Sequence, residues 1–407
     1  MKYIKRDMES LILTLSQEYS CILVTGPRQV GKTTMLEHIM SEDRHVVSLD
    51  DLQERALAKN DPSMFLKLHP TPVLIDEIQY APELFSYIKI AVDKGAPAGS
   101  FWLTGSQAYK LMNLAQESLA GRTAILHLSS ISQHELYGKD TLNRFSLNLE
   151  YLLEKQKNYE PIDISQIFER IWTGSLPGFV SKKYTNRDVF YSSYLQTYIS
   201  RDISEELPGV NQLKFIEFIR ATACRVGQLL NIHSIAVDVD ISDDTAKRWL
   251  GLLEKSDIIY FLNPYSNNLL KRTIKNPKLY FFDTGLVAYL TKYSSSEILL
   301  NGALNGAILE NYVVNEIRNS YLNLGIEPPL YYYHDKDNNE IDIIIEQDGF
   351  IYPLEIKKSN NPNISMIKSF NILKKSLIPL GTGAILCTKE NISAIDSENL
   401  IIPIFLL

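Results

Sequence analysis

The sequence predicts an α/β protein built on a parallel sheet, with further folded units behind it, and three observations lead there. Short apolar runs recur between helical stretches over the first third of the chain. One of them, Cys21 to Thr25, feeds directly into a loop of the form Gly-x-x-x-x-Gly-Lys-Thr. A second α/β pattern returns near the end, after a region whose periodicity is helical.

The early runs are Ile22-Leu23-Val24, Val46-Val47, Val73-Leu74-Ile75, Phe101-Trp102-Leu103 and Ala124-Ile125-Leu126. Apolar strands alternating with helices read as a parallel sheet covered on both faces. From about Ile131 to Leu207 no strand-like alternation appears, and mixed polar and aromatic stretches such as Asp188 to Tyr194 predict a helical lid. Between about Gly209 and Lys278 the order is helix, helix, helix, short hairpin, that of a winged helix. From Tyr280 come a helix over Ile308 to Tyr321, strands near Tyr331, Ile341 and Ile351, and a late strand at Ala384-Ile385-Leu386. The expected units are therefore 1–130, 131–208, 209–279 and 280–407. There is no internal repeat, low-complexity tract or long linker.

A chain of 407 residues exceeds one ordinary core, and 45% hydrophobic with 22% charged residues fits a folded globular protein rather than a disordered or fibrous one. A net charge of −7 excludes a molecule whose whole field attracts nucleic acid or anionic lipid, so any DNA contact must be local. Cys21, Cys224 and Cys387 have neither pairing nor metal-ligand spacing, which predicts a reducing compartment, the cytoplasm, and no zinc. Met1 to Asp7 lacks an export-signal pattern, and no apolar run approaches the roughly 20 residues that span a bilayer.

In Gly26-Pro27-Arg28-Gln29-Val30-Gly31-Lys32-Thr33 the glycines let successive amides turn inward on phosphate. Lys32 reaches the β and γ oxygens, Thr33 offers a hydroxyl to Mg²⁺, and the helix that begins around Thr34 adds its N-terminus. The pattern identifies the sheet as that of a P-loop nucleoside triphosphatase, with ATP and Mg²⁺ as the expected ligands. The apolar strand Val73-Leu74-Ile75 ends in Asp76, placed to hold the Mg²⁺ shell, and Glu77, placed to polarise an attacking water. A third strand ends in Thr104-Gly105-Ser106, where Thr104 and Ser106 compete for the place beside the γ-phosphate. Arg122 is the candidate for an arginine completing the charge, across a subunit interface or within the chain, against the plainer reading of a surface residue.

Taken with Ser48-Leu49-Asp50-Asp51, Ile75 to Gln79, Leu103 to Ser106 and Ser118 to Arg122, the phosphate loop resembles one prokaryotic family of AAA-type ATP-binding proteins. Tyr198-Ile199-Ser200-Arg201-Asp202, Pro277 to Leu286 and Glu355-Ile356-Lys357 extend the resemblance over nearly the whole chain. It implies an AAA-like ATPase with a winged helix and a restriction-endonuclease-like C-terminal region, acting as a homo-oligomer. It implies no particular substrate.

Glu340 to Glu346, a turn at Asp348-Gly349, and Pro353 to Lys357 read as two strands carrying Asp342, Glu355 and Lys357. Period two puts Glu355 and Lys357 on one face. Asp342 and Glu355 are then candidates to share a divalent cation while Lys357 activates a water against a phosphodiester. Glu310 joins them as a ligand because the family carries Glu at the matching position, whereas His334 stands where the family has arginine. The competing reading is an ion-pair network in a fold retained for binding or assembly.

In the winged-helix region, Ser242 is the expected N-cap of a reading helix from which Lys247 and Arg248 point, followed by a wing with Lys271, Arg272, Lys275 and Lys278. Ten Lys or Arg against seven Asp or Glu over 211–278 give a modest DNA footprint. Protein docking is the alternative use. His233 and Trp249 are expected to pack, and Tyr331-Tyr332-Tyr333 to be a strand rather than a base-stacking platform.

Overall fold

The computed structural model describes residues 3–106, 111, 119–198, 203, 207, 209–265, 276–337 and 339–407. Of the residues singled out above, Gln107, Ser118, Ile199, Ser200, Arg201, Asp202, Lys271, Arg272 and Lys275 lie outside these.

Five strands, β1 (Cys21–Thr25), β2 (His45–Ser48), β3 (Val73–Asp76), β4 (Phe101–Thr104) and β5 (Thr123–His127), form one parallel sheet in the order β2-β3-β4-β1-β5. Successive side chains point to opposite faces of a strand. Ile22, Val24, Leu74, Trp102 and Leu126 therefore enter one core, and Cys21, Leu23, Val73, Ile75, Phe101 and Leu103 the other. The second core is closed locally by Phe65, Phe85 and Ile88. The first continues without a break through Tyr191, Ile308 and Tyr312 to Leu386. All five strands end at the same edge of the sheet, which brings Gly26, Asp76, Thr104 and His127 together.

The stretch expected to be a helical lid is helical: Gln133–Tyr137, Leu149–Asn158, Ile164–Thr173, Pro177–Val180 and Arg187–Tyr198. Ser132 with Glu135 and Asp163 with Gln166 form capping boxes that start two of these helices. The stretch packs into the molecule. Helix Ile164–Thr173 lies against helices Thr284–Leu290, Ser296–Asn301 and Asn305–Leu322. Buried Asp283 ties this stack together, accepting hydrogen bonds from Leu286 N, Tyr191 Oη and Ser175 N at 2.7 Å each.

Helices Gln212–Ala223, Ile232–Val239 and Asp243–Lys255 precede an antiparallel ladder of β6 (Ile259–Leu262) and β7 (Lys278–Phe281). Ser242 caps the third helix as expected, accepting from Thr245 N at 3.1 Å. Trp249 packs between Phe215 and Phe218, with ring centroids 5.0 and 5.2 Å away. His233, by contrast, is a surface residue 3.1 Å from Asp243, because it lies on the outer side of its short helix.

The C-terminal sheet runs β12-β13-β11-β10-β9-β8. Its strands are β8 (Leu330–His334), β9 (Glu340–Gln347), β10 (Phe350–Lys357), β11 (Gly383–Cys387), β12 (Ser393–Ala394) and β13 (Asn399–Pro403). The tyrosine triplet lies in β8, as a strand. Asp348 and Gly349, with φ of +53° and +78°, make the two-residue turn between β9 and β10. Positive φ at both central residues gives the twist such hairpins require.

Candidate functional sites

The loop after β1 is held in a backbone path that depends on glycine. Gly26 has φ of +137°, and a Cβ there would stand 2.1 Å from the Leu128 carbonyl oxygen. Gly31 (φ +87°) caps helix Lys32–Ile39. The helix leads with Lys32, which is buried, and its Nζ donates to the carbonyls of Gly26 and Pro27 at 2.8 Å each. Burial pulls its pKa down to about 8, against the charges of Glu77 and Asp257. Val30 is buried, Arg28 half-buried, and Gln29 and Thr34 are exposed.

Thr33 Oγ1 donates to Asp76 Oδ1 at 2.6 Å, Ser48 Oγ donates to Asp76 Oδ2 at 3.2 Å, and Thr104 Oγ1 also donates to Asp76. Glu77 begins the turn after β3 at φ +57°. Its carboxylate accepts from Gln79 Nε2 and from Ser106 Oγ, the latter at 3.3 Å. Thr104 and Ser106 thus divide the work for which they compete in sequence: Thr104 holds Asp76 and Ser106 holds Glu77. The hard oxygens of Thr33 and Asp76, beside the Lys32 ammonium, fit Mg²⁺ carried on a polyphosphate.

Three further groups escaped the sequence reading. Buried Arg6 braces the loop from outside, donating to the Val30 and Ser129 carbonyls at 2.8 and 2.7 Å and to Glu135 at 2.8 Å. Buried Gln79 orients Glu77. At the end of β5, His127 Nε2 and Asp257 Oδ2 stand 4.0 Å apart, both lacking a hydrogen-bond partner. Burial pushes His127 down to about 3, helped by the charges of Arg318 and Lys32, and pushes Asp257 up to about 7. Arg318, from helix Asn305–Leu322, lies over the rings of Tyr260 and Phe282, each 4.6 Å away. Only the Ile75 to Gln79 string carried a local sign, for Gln79.

Arg122 lies at the rim of the N-terminal unit with its side chain 39% exposed, its Nε 2.5 Å from Asp93 Oδ1 and its Nη1 donating to the Ala120 carbonyl at 3.1 Å.

The C-terminal cluster also assembles differently from expectation. Asp342, Glu355 and Lys357 do converge: Lys357 Nζ is 2.5 Å from Glu355 Oε1 and 3.7 Å from Asp342 Oδ2. Glu310 faces them from its helix. But Lys278, expected on an outward wing, is buried and enters the cluster from β7. Its Nζ is 2.9 Å from Glu310 Oε1, 2.6 Å from Glu340 Oε1 and 4.0 Å from Asp342 Oδ1. Glu310 also accepts from Tyr280 Oη at 2.5 Å, and Asp342 from Ile356 N at 2.8 Å. Reading Glu310, Asp342 and Glu355 as one ligand set is therefore corrected: an ammonium stands among the carboxylates. Among the described residues no three His, Cys, Asp or Glu side chains form a metal-holding group. Burial, followed by the charge of Asp342, pushes Glu310 up to about 7 and Glu355 up to about 8.

Residues 18–137 match the family model of the AAA domain, which coincides with the five-stranded sheet and its phosphate loop, so the N-terminal unit is AAA-type and ATPase-like. Residues 164–297 and 305–407 match two domains of unknown function, DUF8612 and DUF4143. The chain is 26% identical over 367 residues to "Uncharacterized protein Rv2008c" of Mycobacterium tuberculosis and to "Uncharacterized protein Mb2031c" of Mycobacterium bovis, covering 89% of this chain and 75% of each relative. Among solved structures it is similar to the Walker-type ATPase PABY2304 of Pyrococcus abyssi, at 15% identity and a TM-score of 0.43, over 70% of this chain and 94% of that one. No helix among the described residues is long and apolar enough to cross a membrane.

Proposed function

We propose that the chain binds and hydrolyses Mg²⁺–ATP and uses turnover to switch its downstream units between binding states. The observation that carries this is the hydroxyl network of Thr33, Ser48 and Thr104 on Asp76, with Glu77 held beside it by Gln79 and Ser106. In this reading the amides of the loop and Lys32 take the phosphates, and Thr33 and Asp76 hold the metal. Glu77 orients and deprotonates the attacking water. Arg122, engaged with Asp93 in its own chain, would act on the site of a neighbouring copy in a homo-oligomer. Calorimetry with ATP and Mg²⁺ tests the assignment: Lys32→Ala should lose binding, and Glu77→Gln should keep it within about threefold. Unchanged affinity in Lys32→Ala would contradict it.

For the output we favour binding without cleavage, since Lys278 neutralises the carboxylates that a nuclease would offer to metal. The three helices and β6-β7 ladder support a winged helix, and exposed Lys247 and Arg248 are placed for DNA phosphates. The convergence of Asp342, Glu355 and Lys357 favours the second reading, a Mg²⁺-dependent nuclease. Incubation with single- and double-stranded DNA and RNA, with Mg²⁺ or Mn²⁺ and with or without ATP, decides between them. Intact substrates are expected. Cleavage that disappears in Lys357→Ala would establish the nuclease.

A further inference from the structure

We propose that Lys278 is the resident cation of the C-terminal carboxylate cluster, holding the place of a divalent metal and locking β7 onto the C-terminal unit. The cluster then takes up a metal only when that lysine is withdrawn. The inference rests on this cluster alone and is independent of ATP turnover.

β7 is held on both sides. It pairs with β6, Leu262 opposite Lys278, and on its other side Lys278 bridges to Leu229. Both edges at Lys278 are occupied, so the strand's register is fixed. Period two then sends Lys278 and Tyr280 to the same face, and both end on Glu310 Oε1. The side chain leaves the three-helix unit and is spent wholly on acids of the next one: Glu310 on helix Asn305–Leu322, and Glu340 and Asp342 on β9.

An ammonium has three donors and no acceptor; Glu310 and Glu340 lie within hydrogen-bond reach of it, and Asp342 at 4.0 Å adds a third negative charge. Its side chain is only 2% exposed. A buried charge of this kind is stable only when it is paired, and the pairing leaves the acids equally dependent on it. A divalent ion brought to Glu310 and Asp342 would have to share the space with Lys278, and like charges at such separations repel strongly in a buried site. Lys357 accounts for Glu355 Oε1 in the same manner.

A second, independent feature shows that the cluster has capacity beyond its two lysines. Glu355 is buried, yet its Oε2 has no hydrogen-bond partner. Glu310, Glu340, Asp342 and Glu355 outnumber Lys278 and Lys357 two to one. Removing Lys278 would free the oxygens of Glu310, Glu340 and Asp342, hard donors of the kind Mg²⁺ or Mn²⁺ takes. The cluster is thus a metal site closed by a tethered cation, and the closure depends on where β7 sits.

Mn²⁺ titration of the full, nucleotide-free chain tests this, followed by calorimetry and by the electron-paramagnetic signal of free Mn²⁺. Wild type and Asp342→Asn should give the same isotherm, which also subtracts any Mn²⁺ at the phosphate loop. Lys278→Met, which keeps most of the side-chain volume, should gain one Mn²⁺ per chain. That site should bind at least tenfold tighter than any wild-type site and vanish in Lys278→Met with Asp342→Asn. A wild-type Mn²⁺ site that Asp342→Asn removes would overturn the proposal, and this arm needs no substitution at Lys278. A Lys278→Met protein with wild-type circular dichroism and no added Mn²⁺ site would overturn it as well. Failure of the ATPase reading is a separate result, seen in Lys32→Ala.

Discussion

Asp257 shows what a single buried group contributes at the nucleotide end of the molecule. Its carboxyl is pushed from 3.8 to about 7 by burial, despite Arg318 and Lys32 nearby. A raised carboxyl favours the folded state while it is protonated, so that contribution is whole below about pH 4 and lost as pH rises toward 7. At about 1.4 kcal/mol per pH unit the loss is at most about 4 kcal/mol. Asp257→Asn should therefore melt higher than wild type at pH 8, and the difference should vanish near pH 3.5; equal melting at both values would contradict this. The loop from Gly26 to Thr33 was legible because its chemistry depends on near neighbours, and glycine spacing encodes it directly. Arg6, His127, Asp257 and Arg318 were not legible, because only folding brings Asp257 and Arg318 to the end of β5.

The elements that end at the sheet edge hold two neighbouring carboxylates, Asp76 by the hydroxyls of Thr33, Ser48 and Thr104 and Glu77 by that of Ser106. Thr104→Val should weaken Mg²⁺–ATP binding about tenfold through Asp76, the scale of one lost hydrogen bond to a charged group. Ser106→Ala should leave binding intact and lower the hydrolysis rate about tenfold through Glu77. Steady-state kinetics separates them, and identical effects of the two substitutions would contradict the division of work. The strands of both sheets were readable from apolar runs and from the Asp348-Gly349 turn, while β12 and β13 were missed. β12 has two residues and no period to detect. β7 was read as half of a hairpin, but nothing local tells an outward lysine from one that crosses into another unit; the difference at Lys278 lies in Glu310 and Glu340, far along the chain.

At the scale of the whole molecule, one core runs from the first sheet into the last. Gln133 shows the coupling in a single side chain. It accepts from Tyr312 Oη at 2.8 Å, and its Nε2 donates to the carbonyls of Ile404 and Leu407 at 3.2 and 3.3 Å. Its backbone N–H donates to Glu316 Oε2 at 2.7 Å. A fragment of residues 1–137 should therefore unfold well below the full chain, by more than about 10 °C in a calorimetric scan, because it uncovers the apolar surface that continues into the downstream units. A fragment that melts with the full protein would show the units to be independent. Composition along the chain carries no sign of this continuity, since burial across units has no local signature.

We propose that the site around Gly26 to Thr33, Asp76 and Glu77 hydrolyses ATP. Steady-state phosphate release by the full chain with Mg²⁺ tests it most directly. Wild type should show measurable turnover, Lys32→Ala none, and Glu77→Gln at least a hundredfold loss, the scale of removing a general base. Turnover that persists unchanged in both variants, or its absence from wild type, would contradict it.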